Sequence, residues 1–167
     1  MIVEDQTSIR EMLVEMVSAL PEFEMVAEAG RVDEGLRMVR RLRPDVVILD
    51  WTFPGGGGAA FLRGLWEYRV VARVLVLSAG CEESAIRAAL TGGARGYLEK
   101  GATLAELLHG LRTVAGGGAY FGAAAAAAVE RMLKADALSK ARLEQSAREL
   151  PVVVPTGPED SAPPSSA

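Results

Sequence analysis

Short apolar runs alternate with longer amphipathic stretches from residue 1 to about residue 122. Met1-Ile2-Val3 meets Glu4 and Asp5 at once, and then Ile9, Met12, Leu13, Met16, Val17 and Leu20 recur at helical spacing. Thr7 or Ser8 stands where a helix cap would. "FEMVAEA" reads as a strand, and Val32, Leu36, Val39 and Leu42 mark a second helix with Asp33 near its start. "DVVILD" is a continuous apolar strand that ends on Asp50. Phe61, Leu62 and Leu65 share a face of a helix over 59–68, and "ARVLVLS" is the next apolar strand. A helix over 82–91 ends at "GGA", "RGYLEK" is a short strand, and Leu104, Leu107, Leu108, Leu111 and Val114 define a helix stopped by Gly116-Gly117-Gly118.

Five strands alternating with five helices predict an α/β domain. The expected architecture is a doubly wound, five-stranded parallel sheet in the flavodoxin-like order 2-1-3-4-5, with helices on both faces. In such sheets ligands sit at the carboxyl ends of the strands.

The pattern changes after Gly122. Residues 123–150 are rich in strong helix formers but sustain no heptad, which predicts a partly exposed, Ala-rich helical extension. Residues 151–167, "PVVVPTGPEDSAPPSSA", hold too little apolar content after Val154 to bury a core and read as a disordered tail. The 167 residues therefore divide into a domain at 1–122, the extension and the tail.

Composition narrows the function classes. A net charge of −4 argues against a whole-chain affinity for nucleic acid. Cys81 is the one cysteine, so no internal disulfide forms, and a reducing compartment follows. No apolar run reaches the roughly 18 residues of a membrane span, and "MIVEDQTS" is not a secretory signal. A cytoplasmic protein without membrane contact is expected.

The chemistry lies at the predicted strand ends. Glu4 and Asp5 close the first strand, Asp50 the third, Ser78 the fourth and Lys100 the fifth. A parallel sheet brings all of these to one edge. Three carboxylates crowded there need positive charge. Lys100 supplies one unit, and carboxylates with a backbone carbonyl suit Mg²⁺, which takes hard oxygen ligands. Asp50 is then a candidate nucleophile toward a phosphoryl group, with the cation, Lys100, the Ser78 hydroxyl and loop amides neutralising the phosphoryl oxygens. The glycines after Pro54 let the backbone pass close to the site. They are not a nucleotide loop, because no Gly-Lys-Ser/Thr follows.

The ordered set "VEDQ", "RPDVVILDWTFPGG", "ARVLVLSA", "GARGYLEKGA" and "ELLHGLRTVAGGGAYFG" resembles a response-regulator receiver domain of the NarL/FixJ (LuxR-type) class. The resemblance covers about three quarters of the chain. It implies that Asp50 is the phosphoacceptor, that Asp5 binds Mg²⁺ directly and Glu4 through water, and that the Thr52 backbone carbonyl is a further metal ligand. It implies that Ser78 and Lys100 contact the phosphoryl oxygens and that Ser78 and Tyr97 form a switch pair. A sensor histidine kinase would be the donor, and pairing of two copies through the outer helices would be common. Departures are the short first strand, Phe53 where methionine or leucine is common, Gly101 after Lys100, and no helix-turn-helix pattern after Gly122.

Three functions compete. The first is a phosphorylation-controlled signalling module acting through protein contacts or as a phosphate sink. The second is part of a transcription regulator whose helix-turn-helix is missing; this chain alone would not bind DNA specifically. The third, an aspartyl-nucleophile phosphohydrolase, is disfavoured, since such enzymes place a second aspartate where Thr52 stands. His109, on the last helix of the domain with no cysteine or histidine near it, reads as a surface or interface side chain and not a ligand, and Cys81 as a small loop thiol.

Overall fold

The structure, a computed structural model, describes residues 1–54 and 56–149, with side chains through residue 142. The expected tail at 151–167 lies outside the described residues. Elements run β1 (Ile2–Val3), α1 (Thr7–Ser18), β2 (Glu28–Ala29), α2 (Val32–Leu42), β3 (Val46–Asp50), α3 (Gly57–Glu67), β4 (Arg73–Ser78), α4 (Glu83–Thr91), β5 (Gly96–Glu99), α5 (Leu104–Ala115), β6 (Tyr120–Phe121) and α6 (Ala123–Glu149). The sheet order is β2-β1-β3-β4-β5-β6 and every pairing is parallel. The expected order holds, with a sixth strand added at its end.

β6 has only two residues, too few for periodicity to reveal. It pairs Tyr120 with Gly96 and Phe121 with Tyr97. β2 is also shorter than "FEMVAEA" suggests. β1 offers just Ile2 and Val3 as ladder partners, so only Glu28 and Ala29 are zipped. The short β1 is nevertheless central, paired on both sides and fully buried.

Alternation along the strands builds two cores. Val3, Val47, Leu49, Val74 and Val76 face one side and pack with Val39, Phe61, Leu62 and Ile86 from α2, α3 and α4. Ile2, Ile48, Leu75, Leu77 and Leu98 face the other and pack with Leu13 and Val17 of α1 and Leu107 and Leu111 of α5. β3 is thus buried on both faces, which explains its unbroken apolar run and gives Asp50 a rigid support.

Helix ends follow local chemistry. α5 starts with a capping box: the Glu106 amide donates to Thr103 Oγ1 and the Thr103 amide to the Glu106 carboxylate. α1 starts differently from expectation. Gln6 takes the cap position without a side-chain bond, and Thr7 is already helical. α2 ends at Arg43 in the left-handed region (φ 48°), and Pro44 prevents its continuation.

Met1–Leu133 form one compact unit, and a second begins at Lys134, within α6. The first three turns of α6 therefore belong with the sheet. Ala125, Ala128 and Met132, at helical spacing, are buried in the core that holds α4 and Tyr97, and Arg131 donates to Glu83 at 2.8 Å. One side of the alanine run is thus a close-packing face within the expected partly exposed extension. From Leu133 to Arg142 the side chains are exposed.

Candidate active site at the carboxyl edge of the sheet

The strand-end residues converge. Glu4 and Asp5 follow β1, Asp50 and Ser78 are the last residues of β3 and β4, and Lys100 follows β5. Oxygens of Glu4, Asp5 and Asp50 come within 4.8 Å of one another. Glu4, Asp50 and Ser78 are buried, with Asp50 only 1 % exposed. An isolated carboxylate so placed would be strongly disfavoured, and Lys100 is the compensating charge. Its Nζ lies 2.9 Å from Glu4 Oε2 and 3.1 Å from Asp50 Oδ1, and donates to Glu4 Oε1 at 3.0 Å.

This arrangement sets the protonation of its members. Burial, above all, raises the Glu4 pKa, with the charge of Asp50 adding to it and the hydrogen bond from Lys100 opposing it. Burial alone would lower the Lys100 pKa, but its bonds to Glu4 and Asp50 outweigh that and raise it. Lys100 is therefore a fixed cation at neutral pH.

Backbone amides complete the fixing of the acids. The Thr52 amide donates to Asp50 Oδ1 at 3.1 Å and the Gln6 amide to Glu4 Oε1 at 3.1 Å. Asp5 Oδ1 and Asp50 Oδ2 are buried with no hydrogen-bond partner among the described residues. Glu4 Oε2 meets Lys100 only as an ion pair. Hard carboxylate oxygens clustered within 4.8 Å, on residues that each leave a buried oxygen without a hydrogen bond among the described residues, are the donor set of a divalent cation, so the residues fit a metal.

Glycines bring the start of α3 against the end of β3. Gly56 adopts φ 108° and Gly57 φ 62°, and the Gly58 amide donates to the Trp51 carbonyl at 2.9 Å. A Cβ on Gly58 would stand 2.6 Å from Trp51 Cε3 and 3.2 Å from the Asp50 carbonyl oxygen. These glycines let α3 begin directly behind Asp50.

Tyr97 lies inward, 1 % exposed, and its hydroxyl donates to the Gly80 carbonyl at 3.0 Å. Ser78 Oγ accepts from the Gly80 amide at 3.4 Å. The β4–α4 turn therefore joins the two residues. Thr52 is exposed on its loop. His109 lies outside the site, on the exposed side of α5 with its ring edge-on to Tyr120 at 5.1 Å.

Two contributors were missed from the sequence. Arg10 Nη1 donates to the Glu4 carbonyl at 2.8 Å, tying α1 to the acidic loop, while its Nε pairs with Glu28 at 3.3 Å. Its position one turn into the first helix was the available signal. Trp51 sits 6.4 Å from the Tyr97 ring and holds the glycine loop, and only its adjacency to Asp50 marked it.

Residues 1–112 match the family model described as the response regulator receiver domain. The chain belongs to the response-regulator receiver family. It is 34 % identical over 133 residues to the DNA-binding transcriptional activator DevR/DosR of Mycobacterium tuberculosis, across 80 % of this chain and 61 % of that protein. It is 31 % identical over 117 residues to the nitrate/nitrite response regulator protein NarL of Escherichia coli, across 70 % of this chain and 54 % of that protein. Its fold is similar to the two-component response regulator of the LuxR family from Aurantimonas sp. SI85-9A1, with a TM-score of 0.74 and 27 % identity, over 78 % of this chain and 94 % of that chain. The signal receiver domain of a NarL response regulator from Mycobacterium tuberculosis matches with a TM-score of 0.65 and 31 % identity, over 70 % of this chain and 94 % of that chain. The chain spans about half to three fifths of the length of the curated relatives it matches. As a receiver, the domain is of a kind that serves two-component signalling. No helix among the described residues is long and apolar enough to cross a membrane.

Proposed function

We propose that Asp50 accepts a phosphoryl group from the phosphohistidine of a sensor histidine kinase and that the receiver answers by changing shape. The reading is carried by the buried carboxylate of Asp50, aimed at the sheet edge with one oxygen unpartnered beside Asp5, Glu4 and Lys100. In the transfer, an Asp50 oxygen forms the new bond to phosphorus as the bond from phosphorus to the imidazole nitrogen breaks. Asp5, Asp50 and the Thr52 carbonyl would hold Mg²⁺, with Glu4 acting through water. The bound cation would supply charge neutralisation for the phosphoryl oxygens. Lys100 contributes the same from the protein, held in place by Glu4 until the phosphoryl group competes for it. The Ser78 hydroxyl contacts a phosphoryl oxygen and, in turning toward it, alters the Gly80 turn on which Tyr97 is anchored. The result is a bias on a two-state element by an added charge.

The output acts through protein contacts in a cytoplasmic setting. A pairing of two copies is favoured by one observation. A groove of about 680 Å³ lies between α1 and α5, with Met12 and Leu104 exposed on its rim. The chain by itself is not expected to hold duplex DNA specifically at physiological salt, and a sequence-specific gel shift would overturn that.

The decisive experiment exposes the protein to acetyl phosphate with Mg²⁺ and counts phosphoryl groups by intact mass. One group is expected, and none on Asp50→Asn. Continued labelling of that variant would remove Asp50 from the role. Lys100→Ala should leave any acquired phosphoryl group without its conformational response.

A further inference from the structure

Away from the acidic edge, two grooves join into one trough. The first, about 690 Å³, lies between α3 and α4, and the second, about 500 Å³, continues to the opposite end of the sheet below β4 and β5. Leu62, Trp66 and Gly92 line both. Trp66 is 82 % exposed and Val71, in the second groove, 94 % exposed. An indole left this open on a helix surface is a large unburied apolar area.

The charge of the trough is one-sided. Arg63 and Arg87 line the first groove, Arg73 and Arg95 the second, and no carboxylate among the described residues lines either. This occurs in a chain of net charge −4. Arg73 donates to the Ala115 carbonyl at 3.0 Å, and Arg87 also has a partner within the chain. Arg63 and Arg95 have no ion-pair partner among the described residues. Spacing explains the combination: Arg63 and Trp66 are three apart on α3 and share a face.

We propose that this trough docks an acidic peptide segment of a partner protein, with an apolar side chain laid on Trp66 and carboxylates paired to the flanking arginines. Tryptophan and arginine around a concave apolar floor are the composition of an interface hot spot. Charge complementarity selects an anionic partner. A concave apolar floor favours a peptide over a duplex, whose affinity rests mainly on phosphate contacts. The proposal does not depend on Asp50 and goes beyond the phosphoryl chemistry.

The test uses the full chain and a fluorescein-labelled synthetic peptide in which leucine and phenylalanine are set among glutamates. A copy with lysines replacing the glutamates is the control. Anisotropy should report saturable binding of the glutamate peptide alone, weakened about tenfold or more by Trp66→Ala and by the pair Arg63→Glu and Arg95→Glu. Unlabelled glutamate peptide should blue-shift tryptophan emission in the parent and not in Trp66→Phe, a variant that keeps a large apolar side chain. Far-UV circular dichroism and a urea midpoint unchanged from the parent establish that each variant is folded. The proposal is overturned by absence of binding, by equal binding of the lysine peptide, or by variants that bind as the parent does. Tighter capture of a mixed-sequence DNA duplex, or self-association abolished by Trp66→Ala, would also overturn it by assigning the trough to nucleic acid or to a second copy.

Discussion

Replacing Lys100 by methionine removes the ammonium and keeps most of the chain length, so the variant isolates charge from packing. In the parent, Nζ is 2.9 Å from Glu4 and 3.1 Å from Asp50, and both carboxylates are buried. At an effective dielectric of about 20, each contact at roughly 3 Å is about 5 kcal/mol of attraction. Desolvation of three charges offsets much of it, and deleting one partner of a buried ion pair costs about 3–5 kcal/mol. The Lys100 side chain is 16 % exposed, so water recovers some of the loss, and about 3 kcal/mol is expected at pH 7.5 without divalent cations. The pH dependence is the sharper signature. Glu4 already has a folded pKa above its unfolded value, chiefly through burial. The folded state therefore binds more protons than the unfolded state, and this contribution makes stability rise as pH falls from the folded pKa toward the unfolded one. Without Lys100 the folded pKa rises further and the window widens. Urea unfolding of parent and variant at pH 8 and pH 5.5, in chelator, should show the deficit shrinking at the lower pH. A deficit that is constant or grows on acidification would refute the assignment of Lys100 as the counter-charge.

Four further outcomes follow from the same geometry. Asp50→Asn should stabilise the metal-free protein by about 1 kcal/mol, because it removes one of three crowded anions, and should abolish stabilisation by Mg²⁺ in thermal melts. Gly58→Ala should destabilise by about 2 kcal/mol in urea, since its Cβ would stand 2.6 Å from Trp51 Cε3. Tyr97→Phe should lose about 1 kcal/mol with the bond to the Gly80 carbonyl, measured the same way. Burial, then the neighbouring Glu99, pushes the Cys81 thiol up to about 11. Iodoacetamide should therefore alkylate it at pH 8 about a hundredfold more slowly than an ordinary thiol, with the rate climbing toward pH 11.

Local order in the chain was sufficient for much of this protein. The apolar run Val46–Leu49 determined a strand buried on both faces, and Thr103 with Glu106 determined a helix start, because each depends on residues a few positions apart. The alternation of such elements also implied which acids would share an edge, since strands running parallel must present their carboxyl ends together. What the sequence could not carry depends on distances between remote elements. The sixth strand exists because Gly96 and Tyr97 offer an open edge to two residues of no detectable period. β2 is short because β1 offers two partners and no more. The alanine run becomes a packed face only because the core beside α4 receives it. Among the described residues Asp5 Oδ1 and Asp50 Oδ2 find no hydrogen-bond partner, and the arginine-lined trough is assembled from α3, α4 and the chain leading into β4 and β5. Hydrophobic period is a property of neighbours in sequence; electrostatic compensation and cavity shape are properties of neighbours in space, and only the folded chain decides who those are.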